Sequence, residues 1–181
     1  MSLLKLLGVT TGRENSDQAP DDDTDTMRRI VAELEALPEN RARYLAAFAF
    51  ILGRAAYADA VVSTQETEKM QEIVRLLGQL PEPQAVLVVE IAKSQVRLLG
   101  GTENFLVSRR FREMSTVHQR KELLECVFAV SAADHSITVA EDGQARQISK
   151  ELGLTHEAFI AARADYHEHL EALKSLRRGG R

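Results

Sequence analysis

Four carboxylates stand at matched places in this chain: Asp59 with Glu66, and Asp134 with Glu141. Each pair brackets a short segment. The first is Ala58-Asp59-Ala60-Val61-Val62-Ser63-Thr64-Gln65-Glu66, and the second, 75 residues on, is Ala133-Asp134-His135-Ser136-Ile137-Thr138-Val139-Ala140-Glu141. Both run Ala-Asp-x-x-aliphatic-hydroxyl-x-x-Glu. Carboxylate oxygens are hard ligands, and this spacing is that of the second half of an EF-hand loop, so a divalent cation such as Ca²⁺ is one candidate occupant. The first half of such a loop is missing. Ala55, Ala56 and Tyr57 precede Asp59, and Val130, Ser131 and Ala132 precede Asp134. Calcium takes about six to eight oxygens, so a complete site would need both loops, backbone carbonyls and water.

Local structure offers a second account of the same residues. Ser63 and Thr138 suit helix N-caps, with Glu66 and Glu141 at the third helical position, where a capping box contributes about 1 kcal/mol. Asp59 and Asp134 end helices, where the dipole disfavours an anion. An Asx-turn into the following loop would offset that cost, and so would a shared cation. Asp59, Glu66, Asp134 and Glu141 are therefore candidate metal ligands and equally a partner-docking surface. His135 adds either a nitrogen ligand, a pH-sensitive contact or a solvated loop residue.

The elements that must position these loops are helices. Ile73 matches Ile148, Leu77 matches Leu152, Gly78 matches Gly153, and Arg75 stands against Lys150. Apolar spacing predicts helices over 27–37, 41–58, 63–77, 81–99, 102–114, 116–133 and 138–152, and a last one from the Thr155 cap to about Leu176. The 41–58 helix is apolar nearly all round and should be the buried centre. Gly78 and Gly153 read as helix stops, as does Gly100-Gly101. Thr116 with Gln119 makes a further capping box. Val62 and Ile137 are expected to pin the loops to the core. The fold class is all-α, a helical bundle of two related helix-loop-helix halves.

Composition narrows the function. A net charge of -4 argues against a DNA-binding surface, and 5% aromatic residues without Trp argue against a base-stacking platform, so no nucleic-acid partner is expected. The single Cys126 excludes an intramolecular disulfide and reads as a buried small hydrophobe. No apolar run is long enough to cross a bilayer and no signal peptide stands out, which makes a cytosolic protein the expectation. Residues 1–26 combine an apolar segment (Leu3, Leu4, Leu6, Leu7, Val9) with an acidic linker, and 1–9 allow at most peripheral membrane contact. Residues 27–174 form the helical domain and 175–181 a basic tail. The basic run Arg109-Arg110-Phe111-Arg112 reads as a solvated face or a contact for an acidic segment. His167-Glu168-His169 on a helix would point its imidazoles to different faces.

The doubled Ala-Asp-x-x-aliphatic-hydroxyl-x-x-Glu loop, with the close Leu152-Gly153-Leu154-Thr155, resembles the TerB-like family named for tellurite-resistance proteins, over about residues 27–172. That family places Gly after each Asp, where this chain has Ala60 and His135. The resemblance implies an all-helical adaptor or sensor module in tellurite resistance or a wider metal and envelope stress response. It implies protein partners, among them membrane-associated ones, and no catalytic reaction. The alternatives are a metal-dependent enzyme using the acidic cluster, and a helical scaffold that self-associates as a homodimer.

Overall fold

From Tyr44 to Leu52 the chain has no charged residue. A helix with that run has no face to give to water, so it has to be enclosed. The computed structural model describes residues 21–56, 64–95, 101–133 and 136–170. In it this helix, α2 (Glu39–Ala56), is the axis of the bundle, with every residue from Tyr44 to Leu52 buried. Helices α4 (Glu82–Gln95), α5 (Gly101–Met114) and α6 (Val117–Ser131) pack around it, and α1 (Asp21–Glu35) lies on α4 and α2. Helix α3 (Thr64–Leu76) lies on α4 and α6. Helix α7 (Val139–Glu151) spans α6, α2 and α5, and α8 (His156–Ala164) packs on α6. Each fully buried Phe48, Ile51 or Leu52 contributes about 1.5–3 kcal/mol of burial.

Among the described residues the secondary structure is helical, apart from one isolated parallel bridge between Ile137 and Leu170. The all-α bundle expected from the periodicity is the observed fold. Its two halves are α2 with trailing helix α3, and α6 with trailing helix α7. Matched positions are buried in both trailing helices, Met70 and Val74 in α3, Ala145 and Ser149 in α7. Among the described residues no helix is long and apolar enough to cross a membrane.

Several expected boundaries move. Helix α1 starts at Asp21 rather than Met27. Gly101 belongs to α5, and the stop expected at Gly100-Gly101 for the preceding helix, described to Gln95, lies outside the described residues. The largest difference is at the C-terminal end. The last helix does not run to Leu176 but stops at Ala164, and a 3₁₀ turn over His167–His169 follows. Leu170 leaves that turn with extended backbone and is 1% exposed. Burial of this apolar side chain beside Ile137 competes with continuing an exposed helix, and burial wins.

Candidate functional site: the acidic loops and their bracing

The second loop is built on its cap. Thr138 has φ -69° and ψ 163°, and its hydroxyl accepts the Glu141 N–H at 3.2 Å. The carboxylate of Glu141 closes the box, Oε2 accepting the Thr138 N–H at 2.7 Å and the Thr138 hydroxyl at 2.8 Å. The expected capping role of Glu141 is thus observed. Ahead of the cap, Ile137 is 1% exposed and its N–H donates to the His169 carbonyl at 2.7 Å. Beyond it, Asp142 takes both Nε and Nη2 of Arg163 at 2.7 and 3.0 Å, joining the first turn of α7 to α8.

A contact from the other half completes the frame. Lys69 on α3 donates to the Ala133 carbonyl at 2.6 Å. An ammonium at a helix C-terminus meets the negative end of the dipole and fills an orphan acceptor. It supplies positive charge at the place where an adjacent aspartate needs an offset. Glu66 stands exposed in the first turn of α3, one helical turn before Lys69. Asp59, Asp134, His135, Ser63 and Val62 lie outside the described residues. Of the four predicted site carboxylates, the structure therefore places Glu66 and Glu141.

A second bracing feature escaped the sequence reading. Arg54, in the last turn of α2, donates to Glu151 at the end of α7, with Nη1 2.6 Å from Oε2 and Nη2 3.3 Å from Oε1. Both side chains are buried, at 11% and 7% exposure. Ser108 of α5 donates to Glu151 Oε2 at 2.7 Å and accepts from Arg54 at 3.1 Å, and Gln147 donates to Oε1 at 3.1 Å. With its amide oxygen turned toward Arg54, Gln144 accepts from Nε and Nη2 at 3.2 and 3.1 Å. Burial pushes the Glu151 carboxyl up. The hydrogen bonds from Arg54, Ser108 and Gln147 and the Arg54 charge outweigh it and hold the group below the usual carboxylate range. The signal available beforehand was an arginine closing the uncharged run that begins at Tyr44.

The remaining candidates settle as structural parts. Cys126 is fully buried, and burial raises its thiol far above the ordinary value, which makes it a poor nucleophile. Arg109 and Arg110 pair with Glu113, while Phe111 is buried. His167 and His169 lie on a 3₁₀ turn rather than an α-helix. A shallow cleft of about 370 Å³ between α3 and α4 is lined by Glu68, Gln71, Glu72, Arg75, Glu82, Ala85 and Val86, and neither Glu66 nor Glu141 lines it. Among the described residues no three His, Cys, Asp or Glu side chains gather into a cation-binding group. With Glu141 Oε2 engaged by Thr138 and the Ala133 carbonyl by Lys69, the described part of the second loop does not by itself form a divalent-cation site.

A family model described as "Tellurite resistance protein TerB" matches residues 44–164, more than half of the chain. This chain belongs to the TerB family. Comparison with curated proteins and with solved structures gave no match. The TerB match begins at Tyr44 in α2 and ends with α8 at Ala164, so it takes in both acidic loops. It leaves out α1 and the segment from Asp165 to Leu170 that the second loop pairs with.

Proposed function

We propose that this TerB-family chain is a non-enzymatic adaptor in tellurite resistance or a related metal and envelope stress response. It docks protein partners through the surface carrying Asp59, Glu66, Asp134 and Glu141. One observation carries the reading. The described part of the second loop is braced by the chain's own groups, Lys69 at Ala133, the Thr138–Glu141 box and the His169 carbonyl on Ile137. A loop so fixed presents Thr138, Val139 and Ala140 outward, Val139 at 68% exposure, without needing a bound ion to shape it. A preformed surface with an exposed apolar residue beside carboxylates suits docking, because little ordering cost remains to be met on binding. Among the described residues no group supplies an activated nucleophile or a base aimed into a pocket.

The test is growth on tellurite of cells that depend on this chain, comparing the wild type with Asp59→Asn/Asp134→Asn and with Val139→Asp. The proposal expects both variants to melt within a few degrees of the wild type and to lose protection. Full protection from both folded variants would sink it.

A further inference from the structure

The segment from Asp165 to Leu170 lies beyond the TerB match, yet it pairs with the second loop's midpoint. Its root is fixed. Tyr166 stacks on Phe128 with ring centroids 5.8 Å apart and an interplanar angle of 13°, and Arg163 just before it holds Asp142. Its 3₁₀ turn is closed by the His169 N–H on the Tyr166 carbonyl at 2.9 Å, and His167 Nδ1 lies 3.0 Å from the Ala164 carbonyl. Its tip inserts Leu170, 1% exposed, while the His169 carbonyl takes the Ile137 N–H at 2.7 Å. Ile137 lies at the centre of Ser136-Ile137-Thr138, one residue before the cap whose hydroxyl sets the start of α7.

We infer that residues 165–170 are a strap that holds the second loop at Ser136-Ile137-Thr138, seated by Leu170 and released when Leu170 leaves its place. The inference goes beyond the docking reading, since it concerns the loop's conformation whichever partner the loop serves. Two features make the strap separable from the bundle. Leu170 is joined to α8 through a 3₁₀ turn whose geometry is poorer than that of an α-helix. Among the described residues its backbone link to the loop is the single Ile137–Leu170 bridge, which a local opening can break without global unfolding. Opening the strap unburies Leu170, exposes the Ile137 N–H and loosens the approach to Thr138.

The experiment is amide hydrogen exchange on the full-length protein, following Ile137 against amides in the middle of α2, for the wild type, Leu170→Ala and Leu170→Asp. The alanine variant keeps the question answerable where the aspartate variant does not fold. The strap predicts that Ile137 exchange in Leu170→Ala rises by about tenfold or more relative to α2, since local opening is decoupled from global unfolding. Exchange at Ile137 that stays unchanged, or that rises only in step with α2, overturns it.

Discussion

The two trailing helices α3 and α7 are related in sequence but do opposite things at their ends. Leu76 and Glu151 are equivalent in the repeat. Leu76, in the apolar case, is 55% exposed, while the Glu151 carboxylate is buried and bound to Arg54. The glycine pair two residues on also differs. Gly153 takes φ 66° and closes a Schellman motif, with Gly153 N–H on the Lys150 carbonyl and Leu154 N–H on the Ser149 carbonyl, both at 3.0 Å. In α3 the positive φ falls instead on Gln79, at 51°. Gly78 is there for space, because a Cβ on it would stand 2.6 Å from the Val74 carbonyl oxygen and 3.1 Å from Phe48. The repeat thus conserves the existence of each helix and its stop, while the means of stopping and bracing differ between halves.

The cross-contacts explain the difference. Arg54 reaches from the end of the first leading helix to the end of the second trailing helix, and Lys69 reaches from the first trailing helix to the end of the second leading helix. The first half therefore fastens the second at two helix ends. The fastening next to α7 is buried, and the one next to α3 is exposed.

The sharpest way to break this asymmetry is Arg54→Ala. It leaves Glu151 buried without its counter-charge and should cost about 3–5 kcal/mol in urea unfolding. A loss under 1 kcal/mol would show that the buried pair is not the fastening described. The same pair predicts a pH dependence. The folded-state carboxyl of Glu151 lies below its ordinary value, so its contribution is present above the unfolded value and is lost as pH falls through the folded one. Melting curves between neutral and acid pH should fall less steeply in Arg54→Ala than in the wild type.

Glycine substitutions separate the two stops. Gly78→Ala meets backbone and should cost about 1–3 kcal/mol. Gly153→Ala should cost about 1 kcal/mol, from its positive φ, because the atoms its Cβ would meet belong to the movable end of Arg112. Equal losses, or the reverse order by chemical denaturation, would contradict the distinction. Leu76→Glu, which puts the α7 residue at the α3 position, should change stability by no more than about 0.5 kcal/mol because the site is exposed.

Much of this architecture is local and so was legible. Thr116, Thr138 and Thr155 accept the backbone N–H groups that their spacing assigns them. The uncharged run of α2 announced its own burial. What pattern could not reach were pairings across the chain. Arg54 and Glu151 are 97 residues apart, and Lys69 and Ala133 are 64 apart. Nor does periodicity show that the chain after Ala164 gives up helical hydrogen bonds to bury Leu170, since that gain exists only once Ile137 is already in place. Of the candidate site, the cap role of Glu141 was legible from Thr138 three residues before it, whereas the ammonium beside the second loop was not.

The central claim is that the second loop is shaped by the chain's own groups and docks partners without a metal ion. The most direct test is a thermal melt of the wild type in chelator and then in millimolar Ca²⁺, Mg²⁺, Mn²⁺ or Zn²⁺, beside Asp59→Asn/Asp134→Asn. The account predicts coincident wild-type curves under all these conditions. A cation at one hundred times its Kd would add about 2.7 kcal/mol to the native state. A wild-type shift of that size that vanishes in the double variant would contradict the account and make the loops a cation sensor.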